Sequence, residues 1–196
     1  MGVPQEDSGG LPNAGVVHVI SGSPAGLTPA GTQLFAQGAA GLPDLPEPND
    51  GFGYALTAGF FNGEDQACDL AIGVPGEDLG GVPNAGLVHV LYGSPMGLQA
   101  AGNQAFSQAN LLDTPNPNDQ FGRALTANDF DNDGAADLAI GVPSEDTPNN
   151  YGAVHVVNGQ VGVGLTPPDV LWHQDVPNVD DLVEPDDQFG LAVAGR

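Results

Sequence analysis

The chain has almost no positive charge. Its two basic residues, Arg123 and Arg196, face 25 acidic ones, for a formal net charge of −23. Such a surface repels a phosphate backbone, which argues against nucleic acid and anionic membrane as partners. Cys68 is the sole cysteine, so no disulfide can form within the chain. No apolar run reaches the ~18 residues that would span a bilayer, which excludes membrane insertion by a helix. The opening Met1-Gly2-Val3-Pro4-Gln5-Glu6-Asp7 lacks the basic and apolar regions of a signal peptide, and Glu6 breaks the myristoylation pattern. Asn-x-Ser/Thr acceptors, the nucleophile elbow and both glycine-rich phosphate-binding patterns are missing as well. Nothing in the chain reads as catalytic.

What is abundant is turn chemistry. The 30 glycines and 18 prolines imply many short strands, and 40% hydrophobic residues suffice for a core. The chain also repeats itself with a period of roughly 70 residues. Gly2-Val3-Pro4-Gln5-Glu6-Asp7 returns as Gly73-Val74-Pro75-Gly76-Glu77-Asp78 and as Gly141-Val142-Pro143-Ser144-Glu145-Asp146. Asn13-Ala14-Gly15-Val16-Val17-His18-Val19 returns at Asn84 and, more loosely, at Tyr151; Phe-Gly pairs stand at Phe52, Phe121 and Phe189. Each unit holds four strand-like pieces: one after Phe-Gly, one such as Asp137 to Val142, the Gly-x-Val-His-Val run, and one around Phe106 or Trp172. Four antiparallel strands per repeat, arranged radially, predict β-propeller blades with long inter-strand loops, a β-solenoid being the alternative.

One stretch dictates a chemistry. In Asp129-Phe130-Asp131-Asn132-Asp133-Gly134-Ala135-Ala136-Asp137, carboxylates occupy loop positions 1, 3, 5 and 9 and glycine position 6. That is the oxygen spacing by which a short loop wraps a hard cation, with position 7, Ala135, offering its carbonyl. Without an ion, two carboxylates about 6 Å apart repel by roughly 3 kcal/mol at an effective dielectric near 20. All-oxygen donors on an irregular loop favour Ca2+ over Mg2+. An EF-hand would need Glu at position 12 and flanking helices; here position 12 is Ile140, inside a strand-like run. The preceding unit carries a damaged copy, Phe60 to Asp69, in which Asn62, Glu64 and Asp69 are weaker metal candidates.

Other recurring residues have structural readings. His18, His89 and His155 mark one repeated strand position, and Phe35, Phe106 and Trp172 are expected to fill the space between blades. Neighbours in a strand point to opposite faces, so Glu77-Asp78 and Glu145-Asp146 are expected to be solvated or to cap turns. Cys68 beside Asp69 has no environment that would activate a thiolate.

These motifs together (Phe121-Gly122, the Asp129 to Asp137 loop, and Gly141-Val142-Pro143 in place of Gly-Ala-Pro) resemble the FG-GAP repeats of integrin α-subunit β-propellers and of secreted bacterial proteins. The resemblance implies calcium held by Asp129, Asp131, Asp133 and Asp137 with the Ala135 carbonyl, in the loop joining a blade's first two strands. It implies an extracellular or cell-surface module for adhesion or ligand binding, presenting inter-strand loops to a protein or glycan ligand. The alternative is an accessory repeat region of a secreted hydrolase whose catalytic domain lies elsewhere; a third reading is a surface-array protein.

The repeat frame divides the chain into a partial first blade, 1–50, a second, 51–119, with the degenerate loop, a third, 120–187, with the intact loop, and a first strand of a further blade, 188–196. Open sheet edges are a liability, so the expected explanation is further blades of the same protein. A homodimer closing a six-bladed ring is the sharper alternative.

Overall fold

A computed structural model describes residues 1–39, 41–63, 67–145 and 149–195. Its strands are β1 (Gly2–Val3), β2 (Val16–Ser23), β3 (Gly26–Phe35), β4 (Leu56–Gly59), β5 (Asp69–Val74), β6 (Leu87–Tyr92), β7 (Gln99–Phe106), β8 (Ala124–Asn128), β9 (Asp137–Val142), β10 (Ala153–Asn158) and β11 (Thr166–Trp172). They form three antiparallel sheets, ordered β1-β2-β3, β4-β5-β6-β7 and β8-β9-β10-β11. The architecture is that of propeller blades, and no helix of the described residues is long and apolar enough to cross a membrane.

The same hexapeptide, Asp-Leu-Ala-Ile-Gly-Val, forms both β5 and β9. Without polar alternation it can be covered on both faces, and every residue of β9 is buried. The last strand of each sheet is more exposed, and it joins its neighbour through a register irregularity at equivalent places, Val19/Ser21, Val90/Tyr92 and Val156/Asn158.

Two apolar clusters lie between successive sheets. Val17 and Phe35 of the first sheet pack with Ile72, Val74 and Leu91 of the second. Val88, Val90 and Phe106 of the second pack with Leu138, Ile140 and Val157 of the third. Each fully buried side chain of this size contributes about 1.5–3 kcal/mol. Phe35 and Phe106 therefore fill the inter-blade space as expected, whereas Trp172, on the outer strand of the third sheet, is 42% exposed.

The Phe-Gly pair is the joint between blades. The Phe121 amide donates to the carbonyl of Ala85 in the preceding blade at 3.0 Å, while Gly122 donates to Gly141 of its own at 3.2 Å. The backbones approach so closely that a Cβ on Gly73 would stand 2.1 Å from the Gly122 carbonyl oxygen. Two glycines, one from each motif, make that contact possible.

Residues 188–195 form no strand. Phe189 makes one parallel bridge to Gly152, and the Gly195 amide donates to Thr126 Oγ1 at 2.8 Å, so the tail runs beside β8.

Candidate metal centre

The acidic loop closes the turn between β8 and β9, at the end of the sheet opposite the Phe-Gly joint. Asp137, the first residue of β9, is buried and anchors it. One of its oxygens accepts the amide of Phe130 at 2.7 Å and the other that of Gly159 at 2.9 Å. Asp129 accepts the amides of Asp133 and Gly134, at 3.0 and 3.1 Å, and Asp131 also accepts from Asp133 at 3.1 Å. Asn132 and Gly134 take the positive φ values, 62° and 97°, that wind the chain inward.

This winding brings carboxylate oxygens of Asp129, Asp131 and Asp137 within 4.8 Å of one another. Oxygens sharing one calcium ion at about 2.3–2.6 Å lie at most about 5 Å apart, so the three fit a common ion. Burial, with the charge of Asp131 adding to it, pushes the Asp137 carboxyl above the usual carboxylate range despite its two amide hydrogen bonds. A divalent cation relieves that penalty. Asp133 stands outside the group of three; its Oδ1 accepts the amide of Ala135 at 2.8 Å, and Ala135 itself is buried.

The loop is also tied to the neighbouring blade. The Ala136 amide donates to the Phe60 carbonyl at 2.9 Å, and the amides of Gln160 and Gly162 donate to Phe61 and Asn62. Phe60 to Asn62 belong to the degenerate loop of the second blade. There Asp69 repeats the anchoring role, accepting from Phe61 at 2.9 Å and Gly93 at 2.8 Å. Glu64 lies outside the described residues.

Beneath the blades runs a second polar system that the sequence concealed. His89 and His155 are fully buried at matching strand positions, paired with Ala105 and Leu171, while His18 is half-buried. Burial lowers His89 to about 4. His155 shifts the other way: burial opposes its charge, but Asp113 at 3.6 Å and Asp169 at 2.5 Å outweigh it and raise its pKa.

Glu77 and Glu145 are buried rather than solvated, accepting hydrogen bonds from Gln37 at 2.6 Å and from Gln108. Burial, with Asp44 beside it, pushes Glu77 up to about 9. Each glutamine comes from the preceding blade, which is why neighbouring acids in a turn could not reveal their fate. Asp78 behaves as expected and caps the Asn84 amide at 2.8 Å. Asp146 lies outside the described residues.

Residues 121–157 match the FG-GAP repeat. Phosphatidylinositol-glycan-specific phospholipase D from Homo sapiens is 34% identical over 137 residues, which is 67% of this chain and 16% of that protein. The enzymes of the same name from Bos taurus and Mus musculus are each 34% identical over 118 and 100 residues, or 59% and 51% of this chain. The matches thus span about a sixth or less of the length of these relatives, 14% and 12% in the latter two.

Proposed function

The chain carries an FG-GAP repeat, and from that premise we propose a calcium-binding, non-catalytic β-propeller module that works outside the cell. The observation that carries this reading is the trio Asp129, Asp131 and Asp137, with oxygens within 4.8 Å of one another inside the matched repeat. Asp129, Asp131 and Asp137 would hold Ca2+, with Asp133 and the Ala135 carbonyl completing the shell as the loop adjusts. The ion supplies charge neutralisation; the chain's own residues do the rest. Asp137 fixes where β9 begins, and the Ala136 amide carries the loop's position across to Phe60 in the preceding blade. Stiffening the loop therefore sets the angle between blades, and the connections at the far end of the strands present themselves to a protein or glycan ligand.

Calorimetric titration with calcium tests the assignment. The wild type is expected to bind one ion with release of heat or protons, and Asp131→Ala to bind at least tenfold more weakly. Equal binding by both proteins refutes the site.

The relatives favour a second reading of what the module serves. They are enzymes named for phosphatidylinositol-glycan, and the matching segment is a small part of each. On this reading the repeats are an accessory region of a hydrolase. The polypeptide encoded by the complete gene, assayed on a phosphatidylinositol-glycan substrate with and without these repeats, decides it: loss of cleavage only when the repeats are removed supports the accessory role.

A further inference from the structure

The connection between β7 and β8 carries the chain from the second blade to the third, and it is fastened to the last two strands of the third. Asp169 of β11 is 4% exposed and uses both of its oxygens. Its Oδ1 accepts the Leu112 amide at 2.8 Å, and its Oδ2 stands 2.5 Å from Nδ1 of His155 in β10. The other ring nitrogen, Nε2, lies 3.6 Å from Oδ2 of Asp113, the residue after Leu112 in the same connection. His155 is fully buried, with Phe121 edge-on to it. Opposite it in β9 stands the apolar Ile140. Gln108, also in the connection, donates to Glu145, and Glu145, Tyr151, His173 and Asp175 border with Asp113 a cavity of about 210 Å3.

This arrangement selects one form of the ring. A neutral imidazole has a single N–H, so one of the two carboxylates would face a ring lone pair inside the protein. The imidazolium carries N–H on both nitrogens, and its charge sits between two buried or half-buried anions. The preceding joint is built differently. His89 is equally buried there, but Asn103 stands two residues before its strand partner Ala105, where Asp169 stands two before Leu171. Among the described residues no carboxylate lies within ion-pair distance of His89. The two histidines accordingly shift in opposite directions.

We propose that His155, Asp113 and Asp169 form a proton-dependent clasp that holds the inter-blade connection to the third blade and releases it when His155 loses its proton. The Asp113 side chain is 20% exposed, which gives that proton a way in and out. With the ring neutral, two carboxylates are left with no cation between them, and the segment bearing Leu112 and Asp113 is held less tightly. Burial opposes the charge on His155, but the two aspartates raise its pKa above the ordinary 6.5. Its contribution is therefore full below 6.5 and is lost as pH rises through the folded value. Burial likewise opposes the charges on Asp113 and Asp169, but their bonds to His155 hold both below the ordinary 3.8. Their contribution is present above 3.8 and is lost only as pH falls through the folded values. The clasp is thus closed between 3.8 and 6.5 and opens on the alkaline side.

Carbon-13 NMR of the histidine rings tests it on the whole chain at constant calcium, together with hydrogen exchange of the Leu112 amide corrected for its intrinsic rate. In the wild type His155 is expected to titrate above 6.5, and Leu112 protection to fall roughly tenfold across that titration. Asp169→Asn, which copies the arrangement around His89, should bring His155 below 6.5 and leave Leu112 protection insensitive to pH in that range. Asp113→Asn, at the partly exposed end of the clasp, should also lower His155, and it carries the test should Asp169→Asn not fold. A wild-type His155 titrating at or below 6.5, Leu112 protection constant through the titration, or a His155 value unmoved in Asp113→Asn overturns the proposal.

Discussion

Individual carboxylates in this chain have different tasks, and substitutions should separate them. Asp131 is exposed, and among the described residues its side chain accepts only the Asp133 amide and a long contact from Asn158 at 3.4 Å, so Asp131→Ala should cost little stability in chelator while removing the response to calcium. Asp137 is buried with both oxygens satisfied by amides, so Asp137→Ala should cost about 1.5–3 kcal/mol even without calcium, read as a lowered urea midpoint. Glu77 makes the opposite kind of case. Its folded pKa, about 9, exceeds the ordinary 4.5, so the folded state binds the extra proton between those values. Its contribution is full below the ordinary value and is lost as pH rises towards 9. Glu77→Gln, which mimics the protonated acid, should flatten the fall in melting temperature between pH 5 and pH 9. An unchanged slope would show that Glu77 is ionised in the fold.

At the scale of the element, the joints between blades are made of backbone. Gly86 has φ of 90°, and a Cβ there would stand 2.3 Å from the Phe121 carbonyl oxygen. Neither atom belongs to a flexible side chain, so Gly86→Ala should lower stability by about 1–3 kcal/mol with an unchanged denaturant slope. Phe121→Ala should cost about 3–5 kcal/mol, because Phe121 is fully buried and lies edge-on to His155 at 5.5 Å.

These elements show how far the sequence could be read. The repeated Asp-Leu-Ala-Ile-Gly-Val run located β5 and β9, and the Asp129 to Asp137 spacing located the loop. Both signals are local, held within one turn or one strand. The buried fate of Glu77 and Glu145 was not legible, because their glutamine partners come from another blade. Nor could spacing alone show that Asp133 turns to the Ala135 amide instead of joining the other three. The stacking of Arg123 on Tyr54 joins residues 69 apart in the chain, a contact no local signal reveals.

At the scale of the molecule, stability and charge are coupled. A net charge of −23 opposes compaction, and the acidic loop places part of that charge next to the contact between two blades. An ion bound there stabilises the folded state by an amount that grows with the logarithm of its concentration above the dissociation constant, about 2.7 kcal/mol at 100 times that constant. General screening by salt also stabilises, but without regard to which cation is present or whether Asp131 is there. The most direct measurement is therefore thermal melting of the wild type and Asp131→Ala at constant ionic strength, in millimolar calcium, in magnesium and in chelator. The account predicts a rise of several degrees for the wild type in calcium alone and no rise for Asp131→Ala. Identical melting of the wild type in calcium and in chelator would contradict it.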